Sequence, residues 1–127
     1  MGKKKKAIEE LEFKRINKSS IFKIYHGEIN TDFYTLKYIF GEPNYLSDIN
    51  DGFEWPIKFI IDNKEIIIHN VNNSHTRENY RNSIVWKISG HAGDDSNILV
   101  KRIYKIIKKY KEEQNKNYKS KYEFLNE

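Results

Sequence analysis

The stretch "FEWPIKFIIDNKEIIIHNV", residues 53–71, decides the fold. Phe53, Trp55, Ile57, Phe59 and Ile61 recur at every second position, the period at which an extended chain returns its side chains to one sheet face. Asp62-Asn63-Lys64 interrupts that alternation with residue types that tolerate positive φ, so a tight turn is expected there. Glu65 to Val71 then returns as the hairpin partner, which makes the sheet antiparallel where it is best defined. Pro56 falls on the face opposite Trp55 and has no N–H to donate, so it marks a strand start, an edge or a bulge.

Working outward toward the N-terminus, "SIFKIYHGEI" (Ser20 to Ile29) alternates and meets Gly27, which suits a strand. "NTDFYTLKYIFGEPN" then has Asn30 or Thr31 as N-cap and Phe33, Leu36, Tyr38, Ile39 and Phe40 at roughly helical spacing. Gly41 supplies the C-terminal positive-φ position and Pro43 forbids continuation. "AIEELEFKRI", before all of these, has the composition of a short helix, and "LSDINDG" that of a loop. Beyond the hairpin, the polar "NNSHTRENYRNS" is a long connector, and "IVWKIS" resumes alternation with Ile84, Trp86 and Ile88 on one face. A helix follows from near Asn97, burying Leu99, Ile103, Ile106, Ile107 and Tyr110 and turning Lys101, Lys105, Lys108 and Lys109 outward.

The order β-α-β-β-β-α predicts an α+β fold, a small, mostly antiparallel sheet of about four strands with two helices packed on one face. Residues 1–18 read as a basic N-terminal tail and 19–112 as a single domain. Residues 113–127 read as a polar, basic end of the last helix or a frayed tail, because Gln114 and Asn117 stand where the apolar stripe should continue.

Composition narrows the function classes. A chain of 127 residues with 14% aromatics affords one modest core despite 32% charged residues. Without cysteine there is no disulfide framework, thiol nucleophile or Cys-ligated zinc or iron–sulfur site, and an intracellular setting (host cytoplasm or virion) is the expectation. The basic run at the start leads into acidic residues rather than a secretory apolar core, and no apolar stretch is long enough to span a membrane, so no membrane partner is expected. The net charge of +5 is unevenly spread. Residues 1–18 carry +4, residues 101–127 carry +5, and the stretch between them carries −4, so a polyanion should meet the termini.

The candidate chemistry is sparse. None of His26, His69, His75 and His91 stands three or four residues from another, so no helical metal pair exists. His91 with Asp94 and Asp95, joined by His69, has the residue types of a zinc or manganese site, but the same aspartates fit the N-cap of the last helix, the reading their position favours. Gly90 and Gly93 suggest an anion nest that those two carboxylates would oppose. No phosphate-loop, dinucleotide-binding or nucleophile-elbow motif is present, so no enzyme activity, metal or cofactor is expected. Trp55 and Trp86 lie among apolar neighbours and read as core, with a base-stacking pocket formed by Trp86, His91, Arg77, Tyr80 and Arg81 as the alternative.

The lysines carry the stronger signal. Lys3, Lys4, Lys5 and Lys6 at the start, and Lys101, Lys105, Lys108 and Lys109 near the end, suit contact with nucleic-acid phosphates, the bland alternative being solvated lysine surface. Lysine in place of arginine favours contact without base reading.

Across residues 36–107, "FGEP", "FEWPIKF", "EIIIHN" and "VWKISGH" follow one another in an order that resembles short proteins of tailed phages and large DNA viruses. In those the elements read FG-x-P, a Trp strand, a strand ending in an aromatic-acid pair, and W-x-I-G-G before a final helix. His69-Asn70 and Ser89-Gly90 depart from that pattern. The resemblance implies a viral accessory protein and no particular activity. The leading expectation is therefore a non-enzymatic binder of polyanion, above all nucleic acid. A protein-interaction module (host-factor inhibitor or viral assembly component) and a nucleotide or small-ligand binder are the alternatives.

Overall fold

The structure, a computed structural model, describes residues 11–17, 24–46, 52–70 and 84–125, and the side chains of all of these but 45, 46, 52 and 117–125. Its elements are β1 (Phe13–Arg15), β2 (Ile24–Asn30), α1 (Phe33–Phe40), β3 (Asn44–Leu46), β4 (Gly52–Phe59), β5 (Glu65–Asn70), β6 (Val85–Gly90) and α2 (Ser96–Leu125). The strands form one antiparallel sheet in the order β1-β4-β5-β6-β2, with β3 also paired to β4. The expected α+β architecture is present, with two short strands added to it.

Those two strands share one edge of β4. β1 pairs with Ile57 to Phe59 and β3 with Gly52 to Glu54, so they lie end to end and the sheet is five positions wide. Pro56 stands at the break between them. Its carbonyl accepts from Ile16 N at 3.1 Å on this outer side, the side on which an N–H would be needed to continue the ladder and proline has none.

Where the composition of "AIEELEFKRI" suggested a helix within a tail of residues 1–18, Phe13–Arg15 form a strand of the sheet; residues 1–10 and 18 of those expectations lie outside the described residues. Local propensity does not hold this strand; distant partners do. Phe13 packs on Phe40 with ring centroids 4.9 Å apart. The Arg15 guanidinium donates to Phe40 O (3.0 Å), Glu42 O (2.7 Å) and Asn44 Oδ1 (3.0 Å), binding β1 to the end of α1 and the start of β3.

One face of the sheet carries the core. Ile29, Trp55, Phe59, Ile68, Trp86 and Ile88 are fully buried there against Phe33, Leu36 and Phe40 of α1 and Leu99, Ile103, Ile106 and Ile107 of α2. Full burial of one such side chain is worth about 1.5–3 kcal/mol, so this face supplies most of the driving force for folding. Ile61 and Tyr38, expected on the apolar side, are exposed instead: Ile61 lies in the β4–β5 turn and Tyr38 is 76% exposed on α1.

The α1 cap is Asp32, not Asn30 or Thr31. Thr31 is spent on the sheet, its N–H donating to Ile84 O at 2.9 Å, and the Asp32 carboxylate accepts from Thr35 N at 3.3 Å and from the Thr35 hydroxyl. Gly41 closes the helix as expected, at φ 89°, with its N–H on Lys37 O at 2.9 Å. Between Tyr25 and Gly27, β2 bulges so that His26 has no partner on β6. At Gly27 the helix comes close enough that a Cβ would lie 2.8 Å from Val100 Cγ2.

Candidate nucleic-acid interface

α2 begins at the aspartate pair singled out in the sequence, and the two carboxylates divide the work. Asp95 is the N-cap: Oδ1 accepts from Asn97 N (3.0 Å) and Ile98 N (3.3 Å), and its carbonyl receives Leu99 N. Asp94 instead accepts from Lys64 Nζ at 2.8 Å, tying the β4–β5 turn to the start of the helix. Nearly two turns into the helix, Arg102 donates to Asp62 at 2.8 Å and lies over the Phe59 ring, 4.9 Å from its centroid. Burial raises the Asp62 and Asp94 carboxyls, but the hydrogen bonds and charges of Arg102 and Lys64 outweigh it and hold both below their ordinary values. Lys64 moves upward, chiefly through its bond to Asp94.

The third fixture is His26. Its Nε2 lies 2.8 Å from the His91 carbonyl, so that nitrogen carries a proton, and Nδ1 lies 2.7 Å from the Ser96 hydroxyl. A side chain at position 90 would intrude on this ring, since a Cβ there would stand 3.2 Å from His26 Cδ2.

Held this way, the helix buries Leu99, Ile103, Ile106 and Ile107 and turns Lys101, Lys105, Lys108 and Lys109 to solvent. At about 100° per residue these four lysines fall within an arc of about 100° opposite the buried stripe. None of them forms an ion pair with a described residue. Glu112 enters the same arc one turn beyond Lys108, so the unbroken cationic surface runs from Lys101 to Lys109. Tyr104, 43% exposed, flanks it and accepts from Asn30 N at 3.4 Å.

Lys3, Lys4, Lys5, Lys6, Arg77, Tyr80 and Arg81 lie outside the described residues. Trp86 and His91 are not brought together. Trp86 is fully buried under α1 with its Nε1 donating to Thr31 O at 2.9 Å, so it offers no ring face to a base. His91 is exposed at the other end of β6. His69, considered as a partner for His91, faces the far side of the sheet, with Nε2 2.8 Å from Ser89 Oγ. Lys87 and Ser89 beside it were not singled out in the sequence, although the alternation that buries Trp86 and Ile88 turns both to that far side.

No helix among the described residues is long and apolar enough to cross a membrane. Compared with protein-family models, curated proteins and solved structures, the chain matches none.

Proposed function

We propose that the protein binds nucleic acid as a polyanion, through strand phosphates laid along the outer face of α2. The observation that carries this reading is the set of four exposed lysines in one arc, none of them ion-paired with a described acid. Lysine ammonium groups contact phosphates as point charges and do not fork onto guanine, so the binding is independent of sequence. The role is one of binding, with no reaction assigned. An intracellular, viral accessory setting belongs to the same proposal, in keeping with the cysteine-free composition and the resemblance of residues 36–107.

The test is fluorescence anisotropy with a labelled single strand and a labelled duplex, titrated across a range of salt. Four phosphate contacts imply a slope of log affinity against log salt of about −3 to −4. Changing Lys101, Lys105, Lys108 and Lys109 together to Gln should remove most of that slope and leave the fold intact, because all four are exposed. Absence of affinity at low salt overturns the proposal.

A further inference from the structure

The sheet face turned away from both helices carries a polar hollow of about 400 Å³, lined by Tyr25, Glu28, His69, Lys87 and Ser89. Strand register assembles it. Glu28 pairs with Lys87, Lys87 with His69, and His69 with Glu54, a row that crosses β2, β6, β5 and β4. In the neighbouring row Tyr25 pairs with Ser89 and Ser89 with Ile67. Tyr25 and Glu28 are three positions apart and would point to opposite faces of a regular strand. The bulge at His26 restores them to the same face.

The chemistry of the hollow is divided. On the β2 side stand an exposed aromatic ring, Tyr25 at 57%, and the Glu28 carboxylate beside it. In the middle stands Lys87, which makes no ion pair with Glu28 although the two are cross-strand neighbours. The floor is Ser89, 2% exposed, whose hydroxyl is held by His69 at 2.8 Å. One end therefore presents a π-face and an acceptor for N–H donors; the other presents a cation and a hydroxyl.

The strand register decides what fits. Glu28 and Lys87 are cross-strand neighbours one strand spacing apart, about 5 Å, with the Tyr25 ring on the β2 side and His69 one strand beyond Lys87. A short aliphatic zwitterion such as free glycine could bridge Glu28 and Lys87 but would leave the Tyr25 ring and the Ser89 hydroxyl without a partner. A simple inorganic anion would use the Lys87 end alone and leave Glu28 repelling it. A nucleotide has the required parts in the required order: a flat base with a donor edge, a sugar as spacer, and a phosphate.

We propose that this hollow binds a mononucleotide whose base carries an exocyclic amine. The base stacks on Tyr25 with its amine donating to Glu28, and the phosphate is taken by the Lys87 ammonium and the Ser89 hydroxyl. His69 acts as a positioning residue that fixes the Ser89 hydroxyl. The site is independent of the lysine face of α2, which lies on the other side of the sheet.

The experiment is calorimetric titration of the full chain with cytidine, adenosine, guanosine and uridine monophosphates, with cytidine alone as the phosphate-free control. The expected result is saturable one-to-one binding of the three amine-bearing nucleotides. Uridine monophosphate and cytidine should each bind at least about fivefold more weakly. Tyr25→Ala and Lys87→Gln should each weaken binding about tenfold or more, and Glu28→Gln should abolish the preference for cytidine over uridine monophosphate. Changing the four α2 lysines to Gln should leave these affinities unchanged, which separates failure here from failure of the polyanion reading. Amide shift changes on titration should centre on Glu28, Lys87 and Ser89, a readout that needs no variant. No saturable binding of any nucleotide, binding lost with the α2 lysines but kept in Lys87→Gln, or equal affinity for all four bases would each overturn the proposal.

Discussion

The indole rings of Trp55 and Trp86 meet edge to face, with centroids 5.3 Å apart and planes at 73°, and between them they hold both ends of α1. Trp86 Nε1 donates to Thr31 O just before the helix (2.9 Å), and Trp55 Nε1 donates to Gly41 O at its cap (2.8 Å). Each ring is a core residue whose polar atom fixes a neighbouring element. Phe33, from the first turn of α1, lies 5.8 Å from the Trp55 ring and 6.4 Å from the Trp86 ring, closing the cluster.

Replacing either tryptophan by phenylalanine should therefore cost more than the lost volume. Each change shrinks a fully buried ring and strips a main-chain carbonyl of its donor, for a loss of about 2–4 kcal/mol in urea unfolding. Because the rings touch, the double variant should depart from the sum of the singles by about 0.5–1.5 kcal/mol. Strict additivity would show that the two rings act separately.

Gly27→Ala should be among the most damaging small changes. The new Cβ would sit 2.8 Å from Val100 Cγ2, at a φ of 155° that residues with side chains avoid. We expect a loss of about 2–3 kcal/mol. Val100→Ala in the same background should recover the steric part and leave the conformational part, which a double-mutant cycle in denaturant would resolve.

Much of the fold was legible because its strongest signals are local. The period of two from Phe53 to Phe59, the Asp62-Asn63-Lys64 turn with Asn63 at φ 58°, and Gly41 at the helix end all act over a few residues. β1 was not legible, because its anchor, Arg15, bonds groups 25 to 29 positions away. The lysine face was readable from helical period alone, since an arc opposite a buried stripe needs no knowledge of tertiary contacts. The hollow on the far face was not: its rows depend on pairing β2 with a strand some sixty residues later, and on a bulge that no propensity announces. Trp86 was ambiguous between core and stacking platform until a partner for its N–H was known.

The carboxylates that clamp α2 predict an acid sensitivity. Asp62 and Asp94 titrate below the ordinary value of 3.8 when folded. A depressed folded value means that their stabilisation is complete above the unfolded value and is lost as pH falls through the folded one, so the loss begins near pH 4 and continues below it. Lys64, raised above 10.5, gives the mirror image: its contribution is complete below 10.5 and disappears as pH climbs through the higher folded value. Thermal melts at stepped pH should therefore show a plateau between these limits. Asp94→Asn should flatten both flanks, since it removes one titrating carboxyl and the group that raises Lys64. Unchanged flanks in that variant would assign the sensitivity to other groups.

Truncation after Glu113 should separate the part of α2 that folds the protein from the part that extends its charge. The helix runs to Leu125, yet among its described side chains the last buried one is Ile107, and residues 111–116 are all exposed. Tyr110, whose ring lies 5.9 Å from that of Tyr38, is the last residue of α2 with a described ring contact to another element. Removing residues 114–127 should leave the melting temperature within about 2 °C of the full chain, whereas Ile103→Ala, inside the core, should cost about 2–4 kcal/mol. The deleted segment carries Lys116, Lys119 and Lys121. Affinity for nucleic acid at low salt should therefore drop severalfold on truncation, with a shallower salt slope, while the stretch from Lys101 to Lys109 keeps a measurable remainder. If truncation abolished binding outright, the interface would have to be moved from the domain-bound half of α2 to its far end.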